Sequence, residues 1–110
     1  MTTYTYKNAG VAAGTSYGRA YLCPAGTQAV VAAVQGANVH ATASVNASLQ
    51  WLDASASNAA TRLVNAVPIP ANDAQSLLAA PLVLEAGDEL QVKASATSSL
   101  ELSVSITEIT

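Results

Sequence analysis

"PLVLEAGDELQVKASATSSLELSVSI" (81–106) decides the fold. Leu82 and Leu84 share one parity, as do Leu90, Val92 and Ala94, and then Leu100, Leu102, Val104 and Ile106. Successive side chains of a strand point to opposite faces, so apolar residues at every second position mark half-buried strands. "EAGD" (85–88) separates the first two runs. An Asp side chain bonds to nearby backbone and a Gly accepts a positive φ, so this segment reads as a tight hairpin or an arch. It also brings three acids together: Glu85, Asp88 and Glu89. Acid/base chemistry would need a cleft and a His, Lys or metal to shift one of them. A calcium loop would need more oxygens at alternating spacing. The acids therefore read as a bend, with Glu89 on the outward face of the next strand.

The same logic extends outward. Ile109 breaks the parity of the last run, which predicts a bulge near Glu108. In "SVNASLQWLD" (44–53), Val45, Ala47, Leu49 and Trp51 alternate with Asn46, Ser48 and Gln50. "TQAVVAAVQGANV" (27–39) is apolar at both parities, as expected of a strand covered on each side, and Gly36 in it suggests a bulge or a close backbone approach. "SYGRAYLC" (16–23) alternates Tyr17, Arg19, Tyr21 and Cys23 with smaller residues before a "PAG" turn (24–26). "TTYTYK" (2–7) is a short strand and "NAGVAAG" (8–14) a Gly-bounded loop; "ASASNAA" (54–60) is another loop before a strand at 61–67. The prolines that open "PIPANDAQSLLAAP" (68–81) should interrupt a ladder, and Asn72 with Gln75 could cap one helical turn. The 24 alanines argue for helix, but the apolar spacing of two overrides them. Seven or eight strands with frequent turns, and no stretch long enough for a βαβ crossover, give an all-β chain. The expectation is a single antiparallel β-sandwich, jelly-roll or immunoglobulin-like.

A chain of 110 residues is one domain, 1–110, with residues 1–14 readable either as an arm that acts between chains or as a first strand on its own sheet. Charged residues make up only 10% and the net charge is −3. The four cations, Lys7, Arg19, Arg62 and Lys93, are scattered, whereas a phosphate-tracking groove needs them clustered, so no nucleic acid is expected. Cys23 is the one cysteine and reads as a small half-buried hydrophobe; His40, the one histidine, reads as an exposed loop residue. No catalytic residue, metal site or cofactor is assigned. Trp51 is expected in the core; a carbohydrate-binding module, the different-class alternative, would instead expose it or a Tyr17–Tyr21 platform. The N-terminus is polar and no apolar run nears the ~20 residues of a membrane helix, so neither signal peptide nor membrane is expected, and assembly in a cytoplasm is. Tyr4, Tyr6, Tyr17 and Tyr21 could be core or interface; Tyr4, Tyr6 and Tyr17 are the interface candidates.

"YLCPAGTQAVVAAVQGAN" (21–38) followed by "PANDAQSLLAAPLVLEAGDELQVKAS" (70–95) resembles small β-sandwich virion proteins of tailed bacteriophages and gene transfer agents. Those proteins carry a "PAG-T-A-V" turn-strand and a "GPLVLEAGDxLxV" hairpin; here "AA" precedes the Pro where the pattern often has Gly. The resemblance implies no catalytic residues. It implies a virion protein of the capsid decoration, head-spike base or tail-associated type. A decoration or cement protein would bridge capsid subunits, with the major capsid protein or other virion subunits as partners and a homo-oligomer, trimer favoured, as its form. A tail, collar or fibre component is the nearest alternative.

Overall fold

The computed structural model describes residues 2–110. Its strands are β1 (Tyr4–Ala12), β2 (Gly18–Leu22), β3 (Gln28–Asn38), β4 (Val45–Asp53), β5 (Ala59–Ile69), β6 (Ala74–Ser76), β7 (Leu82–Leu84), β8 (Glu89–Ala94) and β9 (Leu100–Ile109). One sheet has the order β1-β9-β3-β6, with β7 also on β3; the other has the order β2-β8-β4-β5. Every pairing is antiparallel. The pairings nest: β4 with β5, β3 with β6 and β7, β2 with β8, β1 with β9. One long hairpin rolled over on itself gives that order, and the β3–β9 and β4–β8 ladders close it into a two-sheet jelly roll. Of the two sandwich types open from sequence, the strand order selects this one. The described residues form nine strands where seven or eight were expected, because the 68–81 segment contributes β6 (Ala74–Ser76).

The core fills the gap between the sheets. Leu100, Leu102, Val104 and Ile106 of β9 meet Leu90 and Val92 of β8 and Val45, Ala47 and Leu49 of β4 in one buried cluster with Val31, Val34, Ile69, Leu77 and Leu84. Burying each large aliphatic side chain is worth about 1.5–3 kcal/mol, so this cluster is the main stabilising term. Gly36 is inside it. A Cβ there would lie 2.8 Å from Leu77 Cδ1, 3.2 Å from Leu100 Cδ1 and 3.3 Å from Ile69 Cδ1. The close approach read from the sequence is therefore the reason for this glycine, and the bulge in β3 falls elsewhere, between Val31 and Ala33.

Several expectations are corrected. "NAGVAAG" is no loop: β1 runs to Ala12, paired with β9 in unbroken register from Tyr4↔Ile109 to Ala12↔Glu101. Residues 4–12 thus lie on the chain's own sheet here; Met1, the start of the arm reading, is outside the described residues. β3 is covered on one side only, since Gln28, Ala32, Ala33 and Gln35 face solvent. β5 continues through Pro68, which it can do because β5 is an edge and needs no donor on its free side. Asn72 adopts φ 59 in a turn before β6, not a helical turn. Around Glu108 there is no bulge; the parity of β9 continues and turns Glu108 inward. Trp51 points inward opposite Leu90, but at the end of the sandwich it is only half-buried against the core.

Gly36→Val should lower stability by about 1–3 kcal/mol through overpacking. Gly36→Ala, whose single methyl meets only the flexible ends of Leu and Ile side chains, should cost less. Denaturant unfolding of both variants checks the order.

Candidate functional site

The acidic turn is an arch. β7 ends on one sheet and β8 begins on the other, so residues 85–88 carry the chain across the sandwich. Gly87 has φ 89, and its N–H donates to the Cys23 carbonyl at 2.9 Å. Asp88 is 2% exposed, and its carboxylate accepts from the N–H of Glu85 and of Ala54, each at 2.9 Å. Its carbonyl accepts from Cys23 N–H at 2.9 Å. The carboxylate thereby ties the arch to the single turn of 3₁₀-helix at Ala54–Ala56. Both its oxygens hold backbone donors, which is structural work. Glu89 lies on the outer face, 3.2 Å from Arg19.

A second buried carboxylate faces Cys23 from β9. Glu108 is 7% exposed; it accepts from the Tyr21 hydroxyl at 2.5 Å and pairs with Lys7 Nζ at 3.2 Å. The Tyr21 hydrogen bond, with Lys7 adding, holds this carboxyl below its ordinary range against the opposing effect of burial. Burial and the Glu108 carboxylate push the Tyr21 phenol up. Burial, then the charges of Asp88 and Glu108, push up the Cys23 thiol, whose Sγ donates to the Thr27 carbonyl at 3.3 Å. Cys23 is fully buried, deeper than the sequence suggested, and a protonated thiol there is a core residue and no nucleophile. His40 is exposed, and its Nδ1 accepts from Thr42 and Ala43 N–H at 3.1 and 3.0 Å, closing a turn. Among the described residues no group of three His, Cys, Asp or Glu side chains is placed to hold a metal ion.

The distinctive geometry is the difference between the two outer faces. On the β2-β8-β4-β5 sheet, Gln50 donates to Gln91 at 2.7 Å, Gln91 to Glu89 at 2.7 Å, and Arg19 to Glu89 at 3.2 Å. Lys93 and Arg62 lie on the same face by register. It is a charged, hydrogen-bonded surface, with Leu22 and Leu52 beside Glu89 as its apolar members. On the other sheet, the outward residues of β1 are Tyr4, Tyr6, Asn8, Gly10 and Ala12, opposite Ile109, Thr107, Ser105, Ser103 and Glu101 of β9. β3, β6 and β7 add Gln, Val, Ala and Ser side chains, so Glu101 is the one Asp, Glu, Lys or Arg along the described strands of that face. Register places Tyr6, Thr107, Val30 and Val83 in one row across four strands. Tyr4, Tyr6 and Val83 are 61%, 82% and 62% exposed.

Two of the three interface candidates, Tyr4 and Tyr6, thus share one apolar row end. Tyr17 does not join them. It lies on the other sheet's outer face with Lys93 Nζ 4.8 Å from its ring centroid, and its buried hydroxyl has no partner among the described residues. Tyr21 turns inward because the bulge at Ala20 shifts its parity, so Tyr17 and Tyr21 form no common platform. Val83, Val30 and Ile109 were missed as surface residues. The signal available was "LVL" (82–84), apolar at both parities, and the off-parity Ile109.

No family model matches the sequence, and no curated protein matches it. Solved structures match in fold. A chain of the Bacillus endospore appendages, a family of disulfide-linked pili, is similar with a TM-score of 0.56 at 9% identity, over 98% of this chain and 86% of that one. A chain of the virus-like particle of Macrobrachium rosenbergii extra small virus gives 0.52 at 9%, over 98% and 79%. A chain of the T13 particle of infectious bursal disease virus gives 0.52 at 6%, over 96% of this chain and 34% of that one. At these identities the likeness is one of fold: a jelly roll that also occurs in virus shells and in a pilus.

The buried carboxyl makes a pH prediction. Its folded pKa is depressed, so its stabilising contribution is present above the unfolded value of about 4.3 and is lost as pH falls through the folded value. Glu108→Gln should flatten that acid limb. Melting temperatures of both proteins between neutral pH and pH 3 check it, and the two curves should converge as the pH falls.

Proposed function

We propose that this chain is a non-enzymatic structural subunit of a virus particle, and within that class a decoration or cement protein seated on the head surface. The observation that carries the reading is the outer face of the β1-β9-β3-β6 sheet, nearly free of charge apart from Glu101, with Tyr4, Tyr6 and Val83 exposed at the other end. Interface centres are depleted of charge and enriched in aromatics, and this face has that composition while the opposite face does not. The resemblance of residues 21–38 and 70–95 to small phage virion proteins, and the shared fold with chains of two virus shells, support the same reading. The buried polar groups add support, since Asp88, Glu108 and Cys23 are each engaged in holding the fold. Adding area between neighbouring capsid subunits would be the mechanism, with the major capsid protein as partner. A tail, collar or fibre role is the second reading, favoured by the likeness to a pilus subunit.

Mass spectrometry of purified particles, followed by a density map of them, should find the chain on the head with this face turned to the shell. Tyr6→Asp combined with Val83→Asp should abolish binding to particles while leaving the melt nearly unchanged, because both side chains are exposed. Arg62→Asp on the opposite face should leave binding intact. A chain absent from particles, or one whose binding ignores the double substitution, contradicts the reading.

A further inference from the structure

Four strand edges border the two sheets, and three of them are blunted. β2 has five residues, a register shift and Arg19. β5 is interrupted by register shifts, a residue with positive φ (Ala66, φ 54) and Pro68. β6 and β7 have three residues each. Short strands, bulges, charges and prolines are the usual protections against edge-to-edge pairing. β1 is different: nine residues, regular throughout, paired on one side only.

The direction of its free backbone groups can be read from the ladder. Thr3 and Thr110 exchange both N–H···O=C bonds, at 2.8 and 2.9 Å, and Ala13 N–H donates to Leu100 O at 2.9 Å. In an antiparallel pair the bonded residues alternate, so the odd residues of β1 bond to β9. The even residues, Tyr4, Tyr6, Asn8, Gly10 and Ala12, direct both N–H and C=O to the open edge. These same residues carry the outer-face side chains.

We infer that this edge pairs with the β1 edge of a second copy of the chain, antiparallel, about a two-fold axis through Asn8. Only even residues can form bonded pairs, and Asn8 is the midpoint of Tyr4–Ala12, so this register overlaps the whole strand. It sets Tyr6 against Gly10 and Tyr4 against Ala12 of the second copy, a large side chain over a small one at every aromatic position. An aromatic laid across a strand glycine is a favourable cross-strand pair. Lys7 meets Ala9. Sliding by one step to centre on Lys7 would put two ammonium groups opposite each other in a close non-bonded pair, which is unfavourable. Five bonded pairs would contribute up to about ten backbone bonds. The contact is isologous and closes at two, so it would give a dimer where the resemblance implies a trimer. It goes beyond the particle reading and does not depend on it.

Sedimentation across a concentration series tests this with the full chain. Wild type should pass from monomer to dimer. Asn8→Pro removes a donor that faces only the open edge, so β1 keeps its bonds to β9, and dissociation should strengthen by at least about tenfold. Asn8→Cys keeps the strand and supplies a second reading. Bonded pairs have Cα atoms about 5.5 Å apart, within disulfide reach, so mild oxidation should give a covalent dimer. Tyr6→Cys alone should not cross-link, because its own copy lies four residues along, about 13 Å away. A wild type that stays monomeric while Asn8→Cys stays reduced overturns the inference, as does a trimer, or cross-linking of Tyr6→Cys as efficient as that of Asn8→Cys. A monomer found on particles would sink the dimer alone; a dimer absent from particles would sink the particle reading alone.

Discussion

The parity of β9 is the constraint on which the rest of the structure depends. It is a ten-residue strand with a neighbour on each side, β1 and β3, and no register shift on the β1 side. Its inward residues are Leu100, Leu102, Val104 and Ile106, all buried. A slip of one residue would expose all four and bury Glu101, Ser103 and Ser105, so the register is strongly specified. Once it is fixed, Glu108 must face inward, and the fold answers with Tyr21 and Lys7. The same parity sends Glu101, Ser103, Ser105, Thr107 and Ile109 outward, which leaves the outer face with a single acid at one end, and it sets β1 so that Tyr4 and Tyr6 lie on that face.

The two faces divide the work. One carries the cations Arg19, Arg62 and Lys93 and a chain of side-chain hydrogen bonds from Gln50 to Arg19, suited to water. The other presents Tyr, Val, Ala, Ser and Thr with a single acid at one end, suited to a partner. Buried polar side chains serve the architecture: Asp88 ties the arch between the sheets, and Asn38 donates to the carbonyls of Ala43 and Ile69 at 2.9 Å. Ser48, also buried, accepts from Ala66 N–H where β5 bulges.

The alternations at 82–84, 90–94 and 100–106 were legible because large aliphatic side chains carry a clear period of two, and with them came the sandwich and the bend at 85–88. The "NAGVAAG" segment was not, because Gly and Ala leave no period to read; its strand conformation comes from β9, which lies elsewhere in the sequence. β3 read as covered on both sides because small Ala and Val residues tolerate solvent on an outer face. Tyr17 and Tyr21 read as one stripe until the bulge at Ala20 reversed the second. Glu108 hid as a parity break: its charge argued for the surface, while its partners Lys7 and Tyr21 lie far away in sequence. Of the interface candidates, alternation could place Tyr4 and Tyr6 together, but only the register could add Val30 and Val83 to them.

Pairing of β9 on both sides with fixed parity can be measured by amide hydrogen exchange resolved by residue. Even-numbered β9 amides bond to β1 and odd-numbered ones face β3. With both neighbours in place, every amide from Leu102 to Thr107 should exchange slowly, without alternation. Slow odd amides beside fast even ones would mean that β1 leaves the sheet, and would contradict that pairing.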